Sequence, residues 1–193
     1  MSHCKIITCN VDQQIMYTRR KFIQITALGA GSLVIINGCG THPGPWRVLT
    51  DDESVLLDAI VEQIIPADGW PGAREAGVTN YIDRQLSGPL QRFVGSYRYG
   101  LKSLQQNCLA VHGKNFEYLD WHDQTLFLEM METGRLDKKF WTEVTDKDFF
   151  SLVCDHSMQG FYGSPRHGGN KDYISYRMLR IDYPLIIGQN RYK

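Results

Sequence analysis

Residues 90–108, LQRFVGSYRYGLKSLQQNC, carry the pattern that decides the fold class. Apolar side chains recur there every three or four residues over about five turns, which is the spacing of one buried face of an α-helix. No run of the chain alternates between apolar and polar residues with the period of two that indicates strands. We therefore predict an all-α protein. The predicted buried face comprises Leu90, Phe93, Val94, Tyr97, Leu101, Leu104 and Cys108.

The segment before this stretch shows the start and stop signals of another helix. Thr50 and Glu53 form a capping box ahead of a periodic apolar run. Pro66 disfavours helical geometry at the residue before it and so predicts the end of the helix. The expected buried face of this helix comprises Val55, Leu56, Ala59, Ile60, Ile64 and Ile65.

Capping residues also mark two later helices. Asp120 starts a helix that Gly134 closes, and Thr145 starts another that we expect Gly160 to end. Shorter helices are predicted over about residues 79–86 and 173–180. Together these elements predict a compact, irregular bundle of five or six helices with a glycine-rich loop near the C-terminus.

The N-terminal segment has the composition of an export signal. Arg19 and Arg20 stand directly before Phe22 and an apolar run interrupted by glycines. This is the layout of a twin-arginine signal. The run is too short and too polar for a comfortable membrane span of about 20 apolar residues, although a retained anchor is the alternative. Because the twin-arginine pathway exports folded proteins, the layout predicts a mature chain in the periplasm or on the periplasmic face of the inner membrane.

The signal divides the chain into three parts. We expect a signal segment over residues 1–39, an extended tether over residues 40–49 and a helical domain over residues 50–193. The residues that end at Cys39 loosely match a lipobox, so Cys39 is a candidate for lipidation, which would associate the chain with the membrane.

Charge argues against nucleic acid as a partner. The first 39 residues hold four of the 21 basic residues and one of the 21 acidic ones, so the rest of the chain carries a formal charge of −3. A nucleic-acid-binding domain needs a basic face. The hydrophobic content of 42% is that of a globular protein rather than a disordered one.

The histidines and cysteines do not form a recognisable catalytic or metal-binding pattern. No two histidines have the four-residue spacing of a metal site on one helix. Cys154 and His156 lie on one predicted helix, where residues two apart diverge rather than pair as nucleophile and base. We therefore predict no catalytic residue, no metal site and no cofactor held by this chain.

Cys108 and Cys154 are the cysteines that follow the signal segment. In an oxidising periplasm they could form a disulfide. Both also lie on predicted apolar helix faces, where a buried free thiol is equally natural. Both interpretations stay open, since the distance between the two residues cannot be read from the sequence.

The richest loop of the domain is residues 160–170, GFYGSPRHGGN. Its glycines and proline predict tight turns, and one interpretation is a surface turn without further function. The alternative is a loop that docks a partner protein, because aromatic residues and arginine are the usual anchors of interfaces. The candidate docking residues are Phe161, Tyr162, Arg166, His167 and Asn170.

The order and spacing of several motifs resemble one protein family, the small (third) subunit of membrane-bound gluconate 2-dehydrogenase and related flavin-dependent sugar and alcohol dehydrogenases. The resemblance covers residues 49–184 beyond the signal. Ser164 and His167 depart from the pattern, since the family more often has an acidic residue and an aromatic residue there. The matching motifs are TRRKFIQ, LTDDE, AIVEQIIPAD, PGAREAGV, YIDRQL and GFYGSPRHGGN.

The resemblance implies a subunit that acts through a partner. That partner is a large flavoprotein of the glucose–methanol–choline oxidoreductase type, which carries FAD and the catalytic residues and often passes electrons to a cytochrome c subunit. The small subunit is implied to supply the export signal and to stabilise the flavoprotein. No catalytic residue is carried over to this chain.

Three functions remain to be compared. The first is a non-catalytic accessory or escort subunit of an exported FAD-dependent dehydrogenase, which explains both the signal and the resemblance. The second is an independent periplasmic lipoprotein or binding module. The third is a small enzyme that depends on a metal or a thiol.

Overall fold

The computed structural model describes residues 45–181. This part of the chain contains six α-helices and no β-strand, so the predicted all-α bundle is confirmed. Arg19, Arg20, Phe22 and Cys39 lie outside the described residues. The helices are α1 (Asp51–Ile64), α2 (Val78–Leu86), α3 (Val94–His112), α4 (Trp121–Glu132), α5 (Asp146–Tyr162) and α6 (Ile174–Met178), with 3₁₀ turns at Gln91–Phe93, Phe116–Tyr118, Lys138–Phe140, Pro165–His167 and Lys171–Tyr173.

The predicted helix starts are confirmed by their capping hydrogen bonds. The Thr50 hydroxyl accepts a hydrogen bond from the Glu53 N–H at 3.1 Å, and the Glu53 carboxylate accepts one from the Thr50 N–H at 2.8 Å. Asp120 and Thr145 cap α4 and α5 by accepting a hydrogen bond from the N–H three residues later. These caps satisfy N–H groups that have no partner within their own helix.

Helix α5 is the centre of the bundle, because it packs against all five other helices of the described part. Phe149 is fully buried and lies against Gly100 of α3, with its ring edge-on to the ring of Tyr97 at 5.8 Å between centroids. The buried side of α5 comprises Asp146, Phe149, Val153, His156, Ser157, Gly160 and Phe161.

The predicted end of α5 at Gly160 is wrong. The helix continues to Tyr162, and Gly163 closes it. Gly160 lies inside the helix, where the absence of a side chain lets the ring of Tyr81 from α2 pack closely against it. A Cβ at position 160 would lie 2.9 Å from the Tyr81 Cδ1 atom. This glycine therefore marks a close approach of two helices rather than a helix end.

The buried arc of α1 also differs from the prediction. Val55 is 53% exposed, whereas Leu57 is fully buried. Helix α1 packs against α2, α3, α4 and α5. The contacts on several sides bury a wider arc than the single face that the periodicity indicated.

The described end of the predicted tether is bound to the domain. Leu49 is buried, and Trp46 and Val48 pack against the core. The buried Asp83 carboxylate of α2 accepts hydrogen bonds from three successive backbone N–H groups, those of Arg47 at 2.8 Å, Val48 at 2.8 Å and Leu49 at 3.0 Å. Hydrogen bonds of this kind, to a charged acceptor, are about twice as strong as neutral ones.

Arg98 of α3 binds a backbone carbonyl group of the same segment. Its guanidinium donates a hydrogen bond to the Val48 carbonyl oxygen at 2.8 Å and pairs with the Glu53 carboxylate at 3.2 Å. Two helices therefore hold the entry of the chain into α1. None of the helices between residues 45 and 181 is long and apolar enough to cross a membrane.

We expect Gly100→Ala to lower the free energy of unfolding by about 1–3 kcal/mol, because the new methyl group overlaps the buried Phe149 ring. Gly95→Ala is the matched control. It lies in the same helix with no atom within 4 Å of the added Cβ, so stability should stay the same or rise by up to about 1 kcal/mol. Urea denaturation of the full chain measures both. An equal effect of the two substitutions would contradict the packing of α3 on α5.

We expect Asp83→Ala to release the segment that precedes α1. Three backbone N–H groups lose their acceptor, and each unpaired group costs about 1–3 kcal/mol while it stays buried. Trypsin should then cleave after Arg47 faster than in the wild type. Asp83→Asn keeps one acceptor oxygen and should be intermediate. Asp148→Ala, at an exposed carboxylate, is the control. Wild-type cleavage of Asp83→Ala would show that the carboxylate does not hold the segment.

Candidate functional site

Glycines set the path of the loop that follows α5. Gly168 has a φ of +104° and its carbonyl oxygen accepts a hydrogen bond from the Asn80 side chain at 2.7 Å. Any Cβ on Gly169 would overlap the Gly160 carbonyl oxygen of α5. The loop backbone therefore lies directly on α2 and α5, which a chain with side chains at these two positions could not do.

Asn170 holds the loop from within. It is fully buried, with a φ of +47°. Its side-chain amide donates to the Gly163 carbonyl oxygen and accepts from the Ser175 N–H, both at 2.9 Å. The Lys171 N–H donates to the Ala76 carbonyl oxygen at 3.0 Å. Asn170 is thus a buried structural residue, and it does not lie on the exposed surface of the loop as expected.

Phe161 is also part of the core rather than of the exposed surface of the loop. Its side chain is 1% exposed. It follows Val153 and Ser157 at four-residue spacing, and both of these are fully buried on the inner face of α5. The prediction of Phe161 as a docking residue rested on a loop that starts at Gly160, two residues before the helix actually ends.

Tyr162, Arg166 and His167 are the predicted docking residues that the structure leaves exposed. The Arg166 Nε donates to the His167 Nε2 at 3.0 Å, and the Arg166 carbonyl oxygen lies 3.4 Å from the Arg84 guanidinium. The ring of Tyr162 stands edge-on to that of Phe161, 4.9 Å away. These three side chains project from a backbone that α2, α5 and the glycines hold in place.

The fold and this loop match a known family. A family model described as gluconate 2-dehydrogenase subunit 3 matches residues 51–182. The chain belongs to this family. The match begins at the first residue of α1 and includes all six helices and the loop, which agrees with the resemblance seen in the sequence motifs. Comparisons with curated proteins and with solved structures found no match.

Cys108 and Cys154 are both free thiols in the structure and do not form a disulfide with each other. Cys108 is buried and donates a hydrogen bond to the Lys114 carbonyl oxygen at 3.3 Å. Burial raises the pKa of Cys108 to about 11, with a smaller contribution from Glu117. Burial likewise raises the pKa of Cys154 to about 11, with the nearby acidic groups adding to the effect. Both thiols stay protonated at neutral pH, which is the opposite of an activated nucleophile.

His156 forms a buried pair with Tyr97 that the sequence did not reveal. The Tyr97 hydroxyl lies 3.0 Å from the His156 Nδ1, and the two rings are stacked with centroids 5.8 Å apart. Phe93 packs edge-on against His156 at 5.3 Å. The signal in the sequence was the position of His156 three residues after Val153, on the inner face of α5. As predicted, Cys154 points elsewhere, into a groove beside α1 and α4.

Within residues 45–181, no group of three or more His, Cys, Asp or Glu side chains is placed to hold a metal ion. Two structural contacts that the sequence did not reveal are those of Asp83 and Arg98 with the backbone before α1. Their partners lie 34 to 50 residues away in the sequence, and no local pattern marks such contacts.

We expect the stability of the protein to fall as the pH decreases below the ordinary histidine value of 6.5. Burial lowers the pKa of His156, and Arg92 lowers it further while Asp155 opposes them. The unfolded chain therefore binds a proton at a higher pH than the folded chain, so stability is lost between the ordinary and the lowered value. His156→Gln does not titrate and should remove this slope in urea denaturation. His167→Gln, at an exposed site, should keep it. A slope unchanged in His156→Gln would contradict the assignment.

Proposed function

We propose that this chain is a non-catalytic accessory subunit of an exported, FAD-dependent sugar or alcohol dehydrogenase complex. The observation that carries the proposal is the match of the gluconate 2-dehydrogenase subunit 3 family over the whole helical domain. The residues that could have suggested an enzyme serve other roles. Cys154 is held as a protonated thiol, and His156 is hydrogen-bonded to Tyr97 within the core.

The proposed partner is a large flavoprotein of the glucose–methanol–choline oxidoreductase type. It would bind the FAD and carry out the oxidation, and a cytochrome c subunit would accept the electrons. In this arrangement the present chain contributes binding surface and stability rather than chemistry.

The exposed side chains of the loop after α5 support a docking role. Tyr162 and Arg166 belong to the residue types that most often anchor interfaces. The loop backbone is fixed by Asn170 and by its glycines. A surface that is already ordered loses less conformational entropy on binding than a mobile one.

We further propose that the chain escorts the flavoprotein to the periplasm. Arg19 and Arg20 would supply the twin-arginine signal for both subunits, since that pathway carries folded complexes. Asp83 and Arg98 bind the backbone just before α1, so the segment that follows the signal is attached to the folded domain. An escort would need its export signal on the same chain as the domain that binds the flavoprotein, and the proposed arrangement provides this.

The test is purification of the tagged full chain from its native host after cell fractionation. The proposal predicts that a larger polypeptide with flavin absorbance co-purifies from the periplasmic or membrane fraction. The variant Arg19→Lys with Arg20→Lys should leave both polypeptides in the cytoplasm, because the paired arginines are what the export pathway reads. Lys5→Arg, a change of basic residue outside the pair, is the control.

Two results would count against the proposal in different ways. Recovery of the chain alone as a monomer would favour the independent periplasmic module. Normal export of the flavoprotein in a strain that lacks this chain would refute the escort role and leave the subunit role intact.

A further inference from the structure

The outer face of α5 carries an apolar stripe that the core uses only in part, since Phe150 packs against the core and the later members are exposed. Phe150, Cys154, Met158 and Tyr162 recur at four-residue spacing, so each neighbours the next in a row that winds gradually around the helix. Met158 is 48% exposed and Tyr162 is 38% exposed, while Phe150 and Cys154 are half-buried. The stripe lies along α5, the central helix of the bundle, and it ends where the loop after α5 begins.

The first half of this stripe lies in a groove between three helices. Phe150 and Cys154 form one wall, and residues of α1 and α4 form the others, around a volume of about 330 Å³. We call this the α5 groove. The side chains contributed by α1 and α4 are Gln63, Ile64, Thr125, Leu128, Glu129 and Glu132.

The charged residues that line the α5 groove are all acidic. Glu129 and Glu132 are exposed side chains on its rim, and no lysine or arginine lines it. Asp155 adds a third carboxylate near Cys154, because the negative charges of Glu132 and Asp155 both raise the pKa of the Cys154 thiol. An apolar floor with an acidic rim selects an apolar ligand that carries positive charge.

A second apolar groove of comparable size lacks this selectivity. It lies between α1 and α3, with Leu56, Leu101 and Leu109 as its apolar side chains and a volume of about 280 Å³. Its charged residues have both signs, since Asp52 and Glu53 face Arg98 and Lys102. Arg98 is already paired with Glu53 and with the backbone before α1. The charges that line that groove therefore do not favour a ligand of either sign.

We propose that the α5 groove and the stripe beyond it bind an amphipathic helix of the flavoprotein partner, with apolar residues on one side flanked by lysine or arginine. This inference rests on the proposed function and assigns the surface through which it acts. Amphipathic helices commonly bind in apolar grooves of this kind. The stripe ends at Tyr162, the last residue of α5, so it leads from the groove to the start of the loop.

The experiment uses the tagged full chain in its native host and measures how much flavoprotein co-purifies with it over a series of salt concentrations. We expect Met158→Asp to weaken the complex by roughly tenfold or more, because it places a charge at the centre of the apolar stripe. We expect Glu129→Lys with Glu132→Lys to reverse the rim charge and to reduce recovery most strongly at low salt, where charge attraction is least screened.

Matched controls separate the surface from general effects of charge and folding. Glu75→Lys with Glu143→Lys makes the same change in net charge at exposed positions away from the groove, and recovery should equal that of the wild type. Urea midpoints of all variants should agree, since each altered side chain is exposed.

The outcomes distinguish this inference from the proposed function. Wild-type recovery of the flavoprotein by both groove variants would overturn the inference and leave the subunit role standing. Equal loss in the control pair would overturn it as well, because the effect would then come from net charge. If the chain instead forms a dimer that Met158→Asp dissociates, a second copy occupies the groove and the inference is wrong. Absence of any flavoprotein with the wild-type chain would refute both proposals.

Discussion

Two aromatic rings packed against glycines hold this bundle together. Phe149 of α5 lies on Gly100 of α3, and Tyr81 of α2 lies on Gly160 of α5. At each point a single methyl group would overlap a ring, so the distances of α5 from α2 and α3 depend on these glycines. The loop after α5 repeats the principle, since Gly169 lies on the Gly160 carbonyl group. The position of the exposed loop thus follows from the same close contacts as the core.

The two sides of α5 face different environments, one the core and the other the surface. The inner side carries Phe149, Val153 and the buried pair of His156 with Tyr97. The outer side carries the apolar stripe that leads from the α5 groove to Tyr162. One rigid helix therefore links the core to the surface proposed for docking. That arrangement suits the proposed docking role, because an ordered surface loses less conformational entropy on binding than a mobile one.

Features set by neighbouring residues were predictable from the sequence. Thr50, Asp120 and Thr145 mark helix starts, because a cap depends on a backbone N–H only three residues away. Features set by distant residues were not. Glycine is a common residue at helix ends, yet Gly160 lies within α5 and contacts Tyr81, which is 79 residues earlier. Contacts between distant residues leave no local pattern, so the contact of Asp83 with the backbone before α1 was not predicted. For the same reason Phe161 and Asn170 were expected on the surface.

The most direct test of the proposed docking surface is hydroxyl-radical footprinting of this chain in complex with the proposed flavoprotein partner, beside the isolated full chain. Met158 and Tyr162 are both reactive and partly exposed in the structure, and Met130 on α4 is an exposed methionine that does not line the groove. The proposal predicts that complex formation protects Met158 and Tyr162 and leaves the labelling of Met130 unchanged. Equal labelling of Met158 and Tyr162 in the two samples would contradict docking through the outer face of α5.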